Sequence, residues 1–161
     1  MTVEIPLSRG LVALVDDADA PLVAGLSWHA APSGATYYAR RNVYSAGRYI
    51  THRIHTVITG WPLVDHRNGD GLDNRRSNLR PATHRQNLAN QRLSRRNTSG
   101  FKGVHLHRPT GRWVAQIGHA GRRYNLGYFD TPQDAAHAYD RAAVERFGAF
   151  AATNFPTGAT A

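Results

Sequence analysis

A polar nonapeptide, Arg92–Gly100 (RLSRRNTSG), constrains the fold more than any other feature of the chain. It is basic, turn-prone and free of apolar periodicity, so no core strand or helix runs through it. It reads as a linker, or as a basic arm that orders on DNA. The 161 residues then divide into a unit over 1–91, a linker over 92–99 and a second unit over 100–157. With 41% hydrophobic residues, each unit lies near the size at which apolar burial alone is marginal. The chain has no cysteine, which excludes disulfides, iron–sulfur clusters and thiolate zinc sites. Any metal must be held by oxygen or imidazole. No apolar run approaches the roughly eighteen residues of a membrane span, and the N-terminal MTVEIPLSRG lacks a signal-peptide pattern. The expectation is a cytoplasmic chain with no membrane partner.

The formal net charge is +9, and nineteen of the twenty Lys and Arg residues are arginine. Such an excess points to a polyanion, and arginine's planar fork suits phosphate and guanine edges. The charge is uneven: +1 over residues 1–62, +5 over 63–98 and +3 over 99–161. The middle segment is the electrostatic centre.

In the first unit Val3–Ile5, Leu11–Val15, Thr36–Arg41 and Tyr49–Thr51 read as strands, Asp17–Leu26 as a short helix, and His52–Ile58 as a helix ending at Gly60. Leu63–His66 reads as a strand running into a polar loop, and Asn78–Arg80 as a short return strand. Thr83 opens a helix with Gln86 three residues on, a capping box, and that helix runs to about Arg92. In the second unit Gly103–His107, Arg112–Ile117 and Arg123–Phe129 form a meander turned at Pro109–Gly111 and Ala120-Gly121. Thr131-Pro132-Gln133-Asp134 starts a helix with an apolar stripe of Ala135, Ala138, Tyr139, Ala142, Ala143 and Phe147, stopped by Gly148. The predicted fold class is α+β.

The segment VDHRNGDGLDNRRSNLRPATHRQNLANQ carries an Asp65-His66 pair, an Asn78-Leu79 pair and Asn87 on the helix. In this order it resembles the core of HNH nucleases of the phage and intron homing type, and the likeness extends over nearly all of residues 1–92. The resemblance implies a ββα-metal core in which His66 is the general base and Asp65 and Asn87 ligate one divalent cation, with Asn90 or His84 on the same helix as the alternatives to Asn87. Asn78 would brace the loop. One carboxylate and one amide oxygen suit magnesium or manganese rather than zinc. Asp65 and His66 are adjacent on a strand and would face opposite sides, so the pair is expected at the strand end. His52 and His55 are read as DNA-facing or structural. The basic side chains Arg67, Arg75, Arg76 and Arg80, with Arg95 and Arg96 of the linker, are expected on DNA.

Residues 99–157, through SGFKGVHLH, GRWVAQI, LGYFDTPQDAAHAYDRAA and TNFP, resemble the DNA-binding domain of plant ethylene-response factors, the APETALA family. The resemblance implies a sheet in the DNA major groove with the helix behind it. Alternation puts Val104, Leu106, Trp113, Ala115, Ile117, Leu126 and Phe129 on the helix side. It leaves His105, His107, Arg112, Gln116, Arg123 and Asn125 for DNA, with Lys102 and Tyr128 at the edge. Histidines stand at two places where the plant domains carry arginine, and Asn125 replaces a contacting tryptophan, so the plant target sequence does not carry over.

Together the two resemblances imply a metal-dependent DNA endonuclease, a site-selective nickase leaving 5′-phosphate and 3′-hydroxyl ends. It would act as a monomer on double-stranded DNA in a bacterial host, with homing or phage origin. The first rival is a catalytically silent, sequence-specific DNA-binding regulator on the same scaffold. The second is an RNA-binding protein, disfavoured because most aromatic residues fall at core positions.

Overall fold

The computed structural model describes residues 1–94 and 96–155. The chain divides into two compact units, Met1–Asn87 and Leu88–Ala161. Both mix helix with antiparallel sheet. Arg95 and the end of the second unit at 156–157 lie outside the described residues.

The first unit contains three small sheets. Strands β1 (Thr2–Pro6) and β2 (Val12–Asp16) pair with each other. Strands β3 (His29–Ser33), β4 (Thr36–Ser45) and β5 (Arg48–Arg53) form a meander in that order. Strands β6 (Val64–His66) and β7 (Leu79–Pro81) form a two-stranded ribbon. Helix α1 (Ala20–Val23) and helix α2 (Ile54–Thr59) close over Ile5, Ala13, Val15, Trp28, Ala39 and Leu79 through Val23, Ile54 and Ile58. Trp28 buries its indole here and still donates Nε1–H to the Val23 carbonyl at 2.9 Å, so no polar atom is stranded. Helix α3 (His84–Ala89) begins with the expected capping box: Gln86 Oε1 accepts from the Thr83 N–H at 2.7 Å, and the Gln86 N–H reaches Thr83 Oγ1 at 3.3 Å.

Where the ββα-metal core is expected, the structure has two three-residue strands and a six-residue helix joined by a long polar loop. The loop is pinned by backbone bonds to β2, from Leu14 N–H to the Leu72 carbonyl (2.8 Å) and from Asn74 N–H to the Leu14 carbonyl (2.7 Å). Gly71 presses against Tyr37 and Tyr38 so closely that a Cβ there would collide with the Tyr38 ring. A side chain at that position would push the loop off β4.

Several first-unit boundaries differ from expectation. The helix foreseen over Asp17–Leu26 shortens to a 3-10 turn, Asp17–Asp19, and the four residues of α1. The turn directs the Asp19 carboxylate onto the Arg76 guanidinium, with both bonds at 2.8 Å. Strand β4 runs four residues past Arg41, and β3 carries only the weak strand string HAAPS. The β4–β5 connection is a two-residue turn, Ala46-Gly47, with φ of 49° and 78°. Ala120-Gly121 joins two strands of the second unit in the same way, with φ of 51° and 76°. Two consecutive positive φ values match the right-handed twist of a hairpin.

The second unit is a three-stranded antiparallel sheet with one long helix packed on it. Strand β9 (Arg112–His119) is central, flanked by β8 (Val104–His107) and β10 (Arg122–Phe129). Helix α4 (Pro132–Phe147) starts where the sequence placed it: Thr131 Oγ1 accepts the Asp134 N–H at 3.1 Å, and Gly148 ends the helix at φ 52°. Its alanines 135, 136, 138, 142 and 143 let it lie close over the sheet, against Val104, Ala115 and Ile117, with Trp113, Leu126 and Phe129 half-buried at the edges. Leu106, expected on this face, is 44% exposed because α4 lies over β9 and β10 more than over the end of edge strand β8. Residues 153–155 clamp the unit: Asp140 accepts the Asn154 and Phe155 N–H groups at 2.8 and 2.9 Å, and Asn154 Oδ1 accepts the Lys102 N–H at 2.6 Å.

Alanine in the left-handed region carries a Cβ penalty that asparagine tolerates better. Ala46→Asn is therefore expected to raise stability by roughly 0.5–1 kcal/mol, read as an increase in urea midpoint at unchanged slope.

Candidate DNA-binding surface

Within the second unit, no helix among the described residues packs on the outward face of the β8–β9–β10 sheet. Cross-strand register sets its rows. His107 lies opposite Arg112, His105 and Tyr128 flank Val114, Gln116 pairs with Asn125, and Gly118 pairs with Arg123. Val114 alone of this face is buried, covered by its neighbours at 2% exposure. A hollow of about 250 Å³ opens between Gly103, His105, Gln116, Gly118 and Arg123.

The side chains expected on DNA here are not equally available. His105, Arg123 and Asn125 are exposed and Gln116 is half-buried. Asn125 Oδ1 accepts the Gly127 N–H at 2.9 Å across a bulge in β10, which holds the amide in place and leaves its NH₂ as the outward donor. Arg112 is tied down, donating to Asp130 at 3.1 Å and to the Tyr128 carbonyl at 3.0 Å. The His107 ring bonds Thr110 Oγ1 at 2.8 Å and meets Tyr128 edge-on. Lys102 does not point outward: its Nζ donates to the Ala89 and Gln91 carbonyls at 2.6 and 2.8 Å, and burial pulls its pKa down to about 8.

The second constellation lies in the first unit. Asp65 and Arg80 are direct cross-strand partners on β6 and β7, both nearly buried, with Arg80 Nε and a terminal nitrogen at 2.7 and 2.6 Å from Asp65 Oδ2. His66, at the end of β6, turns into a pocket where its ring stands 5.0 Å from His55 and 5.5 Å from Tyr38. Its Nε2 approaches Asn74 Oδ1 at 3.4 Å. Asn78 spans the loop, accepting the Asn68 N–H at 3.0 Å and donating to the Asp73 carbonyl at 2.7 Å. Asn87 donates to the Val64 carbonyl at 3.3 Å, beside Asp65, while its Oδ1 is buried with no partner among the described residues. Among those residues no group of three or more His, Asp or Glu side chains gathers in a way that could hold a metal ion.

Three of the arginines expected on DNA are ion-paired within the first unit. Arg80 is 7% exposed against Asp65. Arg75 makes a two-pronged contact with Asp73 at 2.7 Å. Arg76 joins Asp19, the Ile58 carbonyl and, through its backbone, Asp16. Arg67 and Arg96 are exposed, and Arg95 lies outside the described residues. Neither Tyr38 nor Asn74 was singled out from sequence. The Asn and Asp density of the loop was the available signal for Asn74, but nothing local marks Tyr38.

Two family models match the chain: AP2 domain over residues 99–149 and HNH endonuclease over residues 60–89. Among similar proteins are the AP2-like ethylene-responsive transcription factor TOE2 of Arabidopsis thaliana, 46% identical over 68 residues, and the ethylene-responsive transcription factor WRI1 of the same plant, 48% identical over 62. The APETALA2-like protein 2 of Oryza sativa subsp. japonica is 45% identical over 65 residues. Residues 99–149 form an AP2 domain. The matches cover 42%, 37% and 40% of this chain but only 14%, 14% and 15% of those relatives. AP2 domains bind double-stranded DNA, and no helix among the described residues is long and apolar enough to cross a membrane.

These findings correct three expectations. The endonuclease reading, and with it enzyme activity, gives way because the two Arabidopsis relatives that share the AP2 domain are named as transcription factors, while the nuclease match is thirty residues long and neither relative carries it in its name. In the structure Arg80 pairs with Asp65, and His66 is 3% exposed. The expected bacterial or phage cytoplasmic setting gives way as well, because the relatives are plant proteins, two of them named as transcription factors.

Burial, reinforced by neighbouring His66, pulls His55 down to about 3, and burial also lowers His66. The unfolded chain takes up these protons near pH 6.5 and the folded one does not, so stability is complete above that pH and is lost as pH falls toward 3. From pH 7 to pH 5, His55 alone should cost roughly 2 kcal/mol of unfolding free energy. His55→Phe should make the urea-measured decline shallower, and an unchanged slope would contradict the buried neutral imidazole.

Proposed function

We propose that this protein is a sequence-specific regulator that binds double-stranded DNA through its AP2 domain. The observation that carries the reading is the face of the three-stranded sheet turned away from α4, where His105, Gln116, Arg123 and Asn125 stand in adjacent rows. Arginine forks onto guanine, and amides pair with adenine edges or single acceptors. Exposed Arg67 and Arg96 would add phosphate contacts of the kind that set affinity without reading sequence. The protein would act as a monomer on its site.

Selection from randomised duplexes should return a defined motif. Arg123→Ala should cost about 1–3 kcal/mol on that motif and relax preference at one base pair. Supercoiled plasmid incubated with the protein and magnesium should stay supercoiled. Nicking that disappears in His66→Ala would overturn the regulator reading.

A divalent cation, magnesium or manganese, at Asp65 and Asn87 is a second reading. It is supported by the Asn87 Oδ1 atom, buried and unpartnered among the described residues, beside the strand that carries Asp65. An oxygen donor set suits a hard cation, which would neutralise a bound DNA phosphate. Manganese should raise the unfolding temperature of the full chain, and Asn87→Leu should abolish that rise. A rise that persists in the variant would place the ion elsewhere.

A further inference from the structure

Residues 20–64 contain no Asp or Glu, yet they hold Arg40, Arg41, Arg48 and Arg53. The modest net charge of the N-terminal stretch hides this, because its acids lie at Glu4, Asp16, Asp17 and Asp19. The fold collects the four arginines on the β4–β5 hairpin. Every residue of β5 is exposed.

The register makes the hairpin electrostatically incomplete. Arg40 lies opposite His29 on one side and Arg53 on the other, a row of three basic side chains across β3, β4 and β5. Like charges directly opposite on a sheet destabilise it unless an anion or solvent intervenes. Arg40 Nε is buried with no hydrogen-bond partner, and among the described residues neither arginine lies within ion-pair distance of a carboxylate. Above this row, on the same face, Thr51 Oγ1 donates to Asn42 Oδ1 at 2.9 Å, fixing the amide with its NH₂ as a free-facing donor. Tyr44 and Tyr49 cap the face with rings 5.1 Å apart, 64% and 74% exposed. From base to tip, the face runs from paired cations to an oriented amide donor to exposed aromatics.

We propose that the β4–β5 hairpin is a second DNA-contacting element, a two-stranded ribbon that enters the major groove of duplex DNA. Arg40 and Arg53 grip one phosphate, and the Asn42 amide faces the base edges. The major groove admits a ribbon of this width, and a phosphate supplies the charge that the Arg40–Arg53 row lacks. The hairpin is separate from the AP2 domain in sequence, so the protein would protect two patches on its DNA. This rests on the DNA-binding reading above for its partner but not for its surface.

The test is hydroxyl-radical footprinting and salt-dependent binding of the full chain on its selected duplex, comparing the wild type with Arg53→Gln, with the Tyr44→Ala/Tyr49→Ala pair, and with Arg123→Ala. The first two alter exposed positions, and thermal unfolding checks that each remains folded. The wild type should show two protected patches. Arg53→Gln and the tyrosine pair should lose one patch and keep the other, and Arg53→Gln should lower the slope of log K against log salt by about 1. Arg123→Ala should weaken the other patch. A single patch that the hairpin variants leave intact, with an unchanged salt slope, overturns the ribbon and leaves AP2 binding standing. Loss of all sequence preference in the wild type overturns the regulator reading instead.

Discussion

The Asp65–Arg80 ion pair joins β6 to β7, and the geometry of the first unit's polar site depends on it. Both side chains are almost out of contact with water. Removing one partner of such a pair typically costs about 3–5 kcal/mol, because the other is left as an uncompensated buried charge. The pair fixes a ribbon only three residues long on each side, which places His66 beside Tyr38 and His55 and lets Asn78 close the loop. The Asp65 carboxylate thus belongs to the framework of the ribbon itself.

Polar residues carry weight in both units because neither has a large apolar core. Arg76 ties Asp19 to the Ile58 carbonyl in the first unit, and Asp140 gathers Asn154 and Phe155 in the second. Arginine suits the first task, since its planar fork satisfies a carboxylate and a carbonyl together. Net charge therefore overstates the electrostatic surface offered to DNA: part of the arginine excess is spent on internal pairs, and part is left over on one hairpin and one sheet face.

The second unit was legible almost entirely in sequence. Thr131-Pro132, the alanine stripe and the Ala120-Gly121 turn are local signals, and each sets its own structure through capping, spacing or backbone conformation. The first unit was legible only in parts. The Thr83–Gln86 capping box and the Gly60 stop were visible, but β3 was not, because HAAPS has no strand propensity and is held by pairing to β4. The Ala46-Gly47 turn has the same dipeptide as the one identified at 120–121, and that was the signal by which the long hairpin could have been found.

Sequence by itself determined the helix that packs on the second unit's sheet and the alternation that turns His105, Gln116, Arg123 and Asn125 away from that helix. These follow from residue spacing along one strand or helix. Tertiary structure alone decided which arginines are available. Arg75, Arg76 and Arg80 look like DNA contacts in a basic string, yet each meets a carboxylate, two of them brought close only by folding across strands or loops. Arg40 and Arg53 lie thirteen positions apart and become neighbours only through the β4–β5 register. A charge's partner is a matter of distance in space, and one-dimensional order does not specify it.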